Sequence, residues 1–160
     1  MDLDATDRRL LNLLQTDASV TNQDLAAAAH ISPATALRRV RRLVDSGVIE
    51  RQVVLLNPDR LGSGLTAVVE VTLDRQGAEH LAAFEQRAVI EDAVQQCWQV
   101  SPGPDFVLVV AVADMPAFQA FTHRLLTQDA NVRNVKTYFS IKRAKFWPRQ
   151  ALPVRGDTET

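Results

Sequence analysis

The apolar residues of this 160-residue chain change period partway along, and that change bounds the fold more tightly than any motif in it. Up to Gly47 they recur every three or four positions, as on one side of a helix. From Leu65 they tend to alternate, as on one face of a strand. Between the two lies NPDRLGSG, Asn57 to Gly64, broken by Pro58, Gly62 and Gly64. The expected division is a helical domain over 1–56, a linker over 57–64, a second domain over 65–146 and a tail over 147–160.

The helical part divides into three. In LDATDRRLLNLLQTD, Asp4 stands where an N-cap accepts a free amide, Asp7 follows three residues on, and Leu10, Leu11, Leu13 and Leu14 form a stripe. SVTNQDLAAAAH offers Thr21 as a cap and Asp24 at the third helical position, with Leu25, Ala28 and Ala29 as the expected buried side. Side chains that small demand a close neighbour. His30 and Ile31 make a tight connection. Ser32 then caps a third helix, with Pro33 at its first position, where a missing N–H costs nothing. Gly47 ends that helix as a left-handed residue. Two helices joined by so short a turn read as a helix-turn-helix. VIERQVVLLNP, rich in Val, Ile and Leu, reads as one or two short extended segments, like the wing of a winged helix.

The third helix carries four arginines in five positions, in SPATALRRVRRL. At 3.6 residues per turn, Leu37, Val40, Leu43 and Val44 are expected on its core face and the arginines around them toward solvent. The first turn presents Ser32, Ala34, Thr35 and Ala36, small enough for the helix end to enter a major groove. Thr35 with Arg38 or Arg39 would reach base edges; Arg41, Arg42 and Arg51 of the wing would meet phosphates. A run of arginines alone is a solvated face. Its place on the second helix of a capped pair makes it a candidate for reading double-stranded DNA. The expected contact set is Ser32, Ala34, Thr35, Arg38, Arg39, Arg41, Arg42 and Arg51.

The second domain begins with LTAVVEVTLD, which puts Ala67, Val69, Val71 and Leu73 on one face and Val68, Glu70 and Thr72 on the other. GAEHLAAFEQRAV is a helix with Leu81, Phe84 and Ala88 at helical spacing. AVQQCWQVS and DFVLVVAVAD are strands broken by PGP. MPAFQAFTHRLLTQ is a helix built on Phe118, Phe121, Leu125 and Leu126, and VRNVKTYFSIKRAKF is a last strand. The order is βαββαβ, the ferredoxin-like arrangement with helices on one side of an antiparallel sheet. The fold class expected for the whole chain is α+β. FVLVVAVA is apolar on both faces, and Val68 and Trp98 add to the face away from the helices, so a homodimer through these sheets is expected.

Composition narrows the function. The formal net charge is -1, so affinity for nucleic acid or an anionic membrane has to come from a local patch. Cys97 is the single cysteine, which rules out an intrachain disulfide and suits a reducing compartment. The start, MDLDATDRRLL, carries acids where a signal peptide needs bases. No run approaches the roughly 20 apolar residues of a membrane span. A cytoplasmic location is expected. His30, His80 and His123 have no ligand spacing, so no metal is expected. No phosphate loop or nucleophile elbow appears, and no catalytic residues are assigned. The tail PRQALPVRGDTET has too few apolar residues to fold alone and reads as a loose terminus or a clasp on a neighbouring subunit.

With these marks in order, the chain resembles the Lrp/AsnC family of feast/famine transcriptional regulators from about Leu3 to Phe146. The marks are LDATDRRLLNLLQTDASVTNQDLA, ISPATALRRVRRLVDSGVIE, LLNPDRLG and VADM. The resemblance implies an N-terminal winged helix-turn-helix for operator DNA and a ferredoxin-like effector domain. It also implies dimers that assemble into tetramers or octamers, and control by an amino acid or similar small metabolite rather than a cofactor. The family's effector loop commonly reads Gly-Asp-x-Asp-Tyr, where this chain has Pro102, Gly103, Pro104, Asp105 and Phe106. The implied effector set is Ser101, Pro102, Gly103, Pro104, Asp105 and Met115. Pro102 removes an N–H that the family's glycine would offer a carboxylate. Asp105 has two readings, a ligand for an ammonium group or a strand-entry cap, and Met115 is a gate or a core residue. Two rivals share the architecture: an enzyme resembling siroheme decarboxylases, in which His123 or Tyr138 would act, and an architectural DNA-binding protein without an effector.

Overall fold

A computed structural model describes residues 2–62 and 64–154. Ser63 of the expected linker and residues 155–160 of the expected tail lie outside the described residues. The chain forms two compact units. One runs to Leu55 and is joined by the tail from Lys145; the other covers Leu56–Ala144.

The first unit holds α1 (Ala5–Thr16), α2 (Asn22–Ala28) and α3 (Pro33–Asp45). Each begins on the side chain expected from the sequence. Asp4 and Asp7 form a reciprocal capping box on α1, Thr21 accepts from Asp24 N–H, and Ser32 accepts from Thr35 N–H. Leu10, Leu25 and Ala29 make the buried centre, with Leu13, Leu14, Ile31 and Val40 packed around it. On α2 the buried small residues are Ala26 and Ala29, and Ala28 faces solvent, one position off the expected side.

The face of α3 also turns relative to expectation. Ala36 and Leu43 are fully buried and Val40 lies beside them, whereas Leu37 and Val44 are about half exposed. Ala36, Val40 and Leu43 sit at i, i+4 and i+7, a narrower stripe suited to the small-faced α2. Leu37 and Val44 fall on its flank, outside the buried stripe. His30 turns the chain between α2 and α3 at φ +56°, and Gly47 closes α3 at φ +74°. Residues 51–57 carry neither helix nor strand, so the extended segments expected there have no ladder partner among the described residues. Val53, Val54, Leu55 and Leu56 stand exposed.

The tail packs on α1. Asn12 and Gln15, one turn apart on the same side of that helix, bind the backbone of alternate residues. Asn12 Nδ2 donates to Leu152 O (2.8 Å), Gln15 Nε2 donates to Gln150 O (3.0 Å), and Gln150 N donates to Gln15 Oε1 (2.6 Å). Alternate residues with N–H and C=O on one side are the mark of an extended edge.

The second unit is β1 (Leu65–Leu73), α4 (Ala78–Val89), β2 (Val94–Gln99), β3 (Phe106–Val112), α5 (Met115–Thr122) and β4 (Val132–Phe139), with α5 running on through a π-turn over His123–Thr127. The sheet order is β2-β3-β1-β4, antiparallel throughout. Its helix-side face is the core: Ala67, Val69, Val71 and Leu73 of β1 and Phe106, Leu108 and Val110 of β3 meet Phe84, Ala88, Phe121, Leu125 and Leu126. Phe84 and Phe106 pack with centroids 4.8 Å apart, a pair adding about 1 kcal/mol beyond burial. β4 stops at Phe139 although a longer strand was expected. It pairs only with β1, and β1 begins at Leu65, so the residues after Ser140 have no ladder to join.

On the other face, Gln96, Val109, Val68 and Tyr138 stand in one row across the four strands, and Trp98, Val107, Glu70 and Lys136 in the next. No helix covers it, and Trp98 and Tyr138 are each more than half exposed.

His30 supplies the first test. A non-glycine residue at positive φ costs about 1–2 kcal/mol, least for residues such as His, Asn and Asp, and a β-branched residue suffers most. His30→Gly should hold or raise the melting temperature, and His30→Val should lower stability by about 1–2 kcal/mol in urea unfolding.

Candidate nucleic-acid interface and effector loop

The buried carboxylate of Asp7 divides the arginines of α3. Asp7, 1% exposed, lies between α1 and α3 and takes Arg39 Nη1 on Oδ1 at 2.8 Å and Arg42 Nη2 on Oδ2 at 2.6 Å. Arg39 Nη1 also reaches Asp4 Oδ2 at 2.7 Å. Capping and pairing therefore share one cluster: the two acids that open α1 also hold two arginines of α3. The Arg39 hydrogen bond holds the Asp4 carboxyl below the ordinary carboxylate value, with the Asp7 amide adding to it, and Asp4 in turn holds the Arg39 guanidinium more firmly protonated.

Arg38 and Arg41 are left facing solvent, and neither forms an ion pair with a described residue. Ala34 and Thr35 lie exposed or partly exposed in the first turn, and the Ser32 and Thr35 hydroxyls bond each other at 2.8 Å besides the cap. Arg51 pairs with its neighbour Glu50. Of the eight residues expected to meet DNA, the structure thus presents Ala34, Thr35, Arg38 and Arg41 along one outward side of α3. It keeps Ser32 as the cap of α3, ties Arg39 and Arg42 to α1 and sets Arg51 apart on the segment after α3. Sequence reading missed Asp7 in this role. The available signal was a second acid in the first turn of α1, which also suits a plain capping box.

In the second unit, the loop from Ser101 to Asp105 enters β3. The Ser101–Pro102 peptide is cis, and Gly103 adopts φ +123°, a conformation that excludes most side chains. Asp105 is half-buried and engaged through its backbone and one carboxylate oxygen. Its N–H donates to Val71 O and its C=O accepts from Val100 N–H. Its Oδ2 accepts from Leu73 N–H at 2.7 Å and from Gln76 Nε2 at 3.2 Å. The β1–β3 pairing ends at Val71↔Phe106, which leaves the Leu73 amide beyond that ladder to be taken by a side chain. Asp105 takes it, as a strand-entry cap does. Met115 opens α5 and is less than half exposed; Asp114 caps that helix by accepting from Ala117 N–H. The seven residues of β3, roughly 20 Å of strand, separate Met115 from the loop, so one chain does not bring the expected effector residues together. Among the described residues no group of His, Cys, Asp and Glu is arranged to hold a metal, and no helix is long and apolar enough to cross a membrane.

Comparison with known proteins finds a match in each part of the chain. Residues 3–50 match the family model for winged helix-turn-helix DNA-binding, and residues 66–149 match the model for the Lrp/AsnC ligand binding domain. The leucine-responsive regulatory protein of Rhizobium meliloti is 38% identical over 91% of this chain and 93% of its own. An uncharacterized HTH-type transcriptional regulator of Haemophilus influenzae is 37% identical over 86% of this chain and 82% of its own. Among solved structures, an AsnC family regulator from Agrobacterium tumefaciens superimposes with TM-score 0.84 at 28% identity, covering 93% of this chain and 97% of that one. A Neisseria meningitidis regulator in complex with L-Met superimposes with TM-score 0.83 at 28% identity, covering 96% and 98%.

Asp7→Asn keeps the size of the side chain and removes its charge, leaving Arg39 and Arg42 facing a neutral group. The expected loss is about 3 kcal/mol in denaturant unfolding, against less than about 0.5 kcal/mol for Arg38→Ala. The pH dependence has a definite sign. Asp4 is lowered from 3.8 in the folded chain, so its share of stability is complete above that value and lost as pH falls through the folded value. Parent and Asp4→Asn should therefore differ at neutral pH and converge in strong acid.

Proposed function

The chain belongs to the Lrp/AsnC family of transcriptional regulators, and on that premise we propose how its own residues divide the work. It carries a winged helix-turn-helix for DNA and a ligand-binding domain. In the proposed complex the outward side of α3 enters the major groove of operator DNA. Ala34 and Thr35 approach base edges, Arg38 reads a base and Arg41 meets a phosphate, while Arg39 and Arg42 act from behind by fixing α3 to α1. The observation that carries this is the partition of the four arginines: two consumed by a buried carboxylate, two unpaired on the side with the small first turn.

The working form is a homodimer, because the uncovered sheet face carries Trp98, Val107, Val109, Val68 and Tyr138 and the segment Val53–Leu56 exposes four apolar side chains. Surfaces of that kind on a regulator are covered by a second copy, and higher assemblies build on the dimer. The effector is an amino acid or similar small metabolite, in keeping with the L-Met bound by the Neisseria relative. It binds at the loop Ser101–Asp105, with Ser101 and the Gly103 backbone offering contacts. Asp105 serves as the clamp that fixes the loop to β1, since Leu73 N–H and Gln76 both bind its Oδ2. A chromosomal operator places the protein in the cytoplasm, and we assign it no catalysis.

Selection of genomic fragments by the purified protein identifies the operator. On that operator, Arg38→Ala should cost about 1–3 kcal/mol and relax preference at one base pair. Arg41→Ala should weaken all sequences alike and lower the salt slope by about one. Unchanged affinity in both variants rejects the placement of α3 in the groove. A thermal-shift series over the amino acids, run beside sedimentation, should give one ligand that raises the melting temperature and changes the assembled mass; Asp105→Ala should abolish both responses.

A further inference from the structure

The proposed reading head is electrically neutral. Residues 1–55 contain seven acidic and seven basic residues, and Asp7 and Asp4 neutralise two of the arginines on α3 itself. Two unpaired arginines on that helix are a small source of attraction for a polyanion whose phosphates dominate affinity. The missing positive charge lies elsewhere in the chain. Between Asp129 and Asp157 there is no acidic residue, and the stretch KRAKFWPR, Lys142 to Arg149, holds four cations in eight positions.

That stretch has the physical character of a backbone-binding arm. All eight residues are exposed. Lys142, Lys145 and Arg149 form no ion pair with any described residue, and Trp147 is more than half exposed. No ladder or helix uses its backbone, so it follows a surface rather than building one. It is also anchored. Immediately after Arg149, Gln150 and Leu152 are gripped through their backbones by Gln15 and Asn12 of α1, the helix whose capping acids hold α3. Gripping backbone atoms leaves the neighbouring side chains free to face outward. Anchoring lowers the conformational entropy that a loose basic tail loses on binding.

We infer that Lys142, Arg143, Lys145 and Arg149 form a second DNA contact, a sequence-independent clamp on the phosphate backbone that supplies affinity while α3 supplies choice. The inference rests on the reading of α3 as the DNA-recognition helix, and the following experiment separates the two. Binding of the full-length protein is measured over a range of salt on two probes: a duplex selected by the wild type from genomic fragments, and a random-sequence duplex of equal length. The quadruple variant Lys142→Gln, Arg143→Gln, Lys145→Gln and Arg149→Gln should show a slope of log affinity against log salt shallower by about 0.9 for each phosphate lost, so by about 3.6 when all four engage. The drop should be the same on both probes, leaving their affinity ratio unchanged. The double variant Lys145→Gln with Arg149→Gln, which spares Arg143, should show about half of it. Circular dichroism and sedimentation matching the wild type confirm that each variant is folded. An unchanged slope overturns the clamp, as does a loss confined to the selected duplex or an effect seen only on anionic lipid vesicles. A wild type that does not prefer the selected duplex overturns the reading of α3 instead, whatever the slopes of the variants.

Discussion

Asp7 is almost wholly out of water between two helices, and every one of its contacts does two things. Its Oδ2 receives the Asp4 amide in the capping box and the Arg42 guanidinium, and its Oδ1 receives Arg39. A carboxylate in that position is costly unless paired, and once paired it resists losing either partner. The start of α1 and the middle of α3 are therefore held by one charge cluster as well as by apolar contact. The apolar contact alone is thin. α2 offers mainly Leu25 and alanines, and α3 buries only Ala36 and Leu43 outright, with Val40 packed on the cluster. Thin packing with small residues lets helices approach closely but leaves their rotation weakly specified. Two guanidinium groups fixed on one buried carboxylate specify that rotation, and with it which side chains of α3 point outward.

The second unit solves the opposite problem. Its helix-side core is thick, with Phe84, Phe106, Phe118 and Phe121 over a sheet of valines and leucines, and it needs no buried charge. What it leaves open is the other face, where Trp98 and Tyr138 flank rows of valine. Glu70 and Lys136 stand opposite each other across β1 and β4 on that face, which fixes register in any partner that covers it better than valine could. Asp105 contributes from the end of β3: by taking the Leu73 amide just past the last β1–β3 pair it ties the loop before β3 to the strand beside it. A ligand at that loop would press on a rigid join rather than on a free hairpin.

What could be read from the chain was local or periodic. Thr21, Ser32 and Asp4 declare helix starts because a cap acts within three residues, and the alternation in LTAVVEVTL declares a half-buried strand for the same reason. The non-local pairings were hidden. Nothing within α3 says that Arg39 and Arg42 face an acid 32 and 35 residues earlier, so all four arginines looked equally available. Leu37 and Val44 satisfy helical spacing for a core that α2 is too small to provide. The tail looked unable to fold, and its described residues carry no helix or strand; they are held by backbone bonds to Asn12 and Gln15, which composition cannot signal because they read no side chain. Where the β1–β3 pairing ends was equally invisible, and it decides what Asp105 does.

A neutral reading head has a consequence for how such a regulator is controlled. Two unpaired arginines per head provide discrimination between bases but little hold on the backbone, so a single head on its own resides briefly on DNA. Occupancy then depends on how many heads engage at once and on whatever charge accompanies them. Linking heads raises effective concentration without adding a contact, and only when their spacing suits the site. In the proposed assembly the linkage runs through the sheet faces, and the clamped loop at Asp105 lies at one end of that same sheet. A small ligand there need not touch DNA, nor alter α3, to change occupancy. It has only to favour one packing of the sheets over another, and weak heads make the whole of that preference visible at the operator.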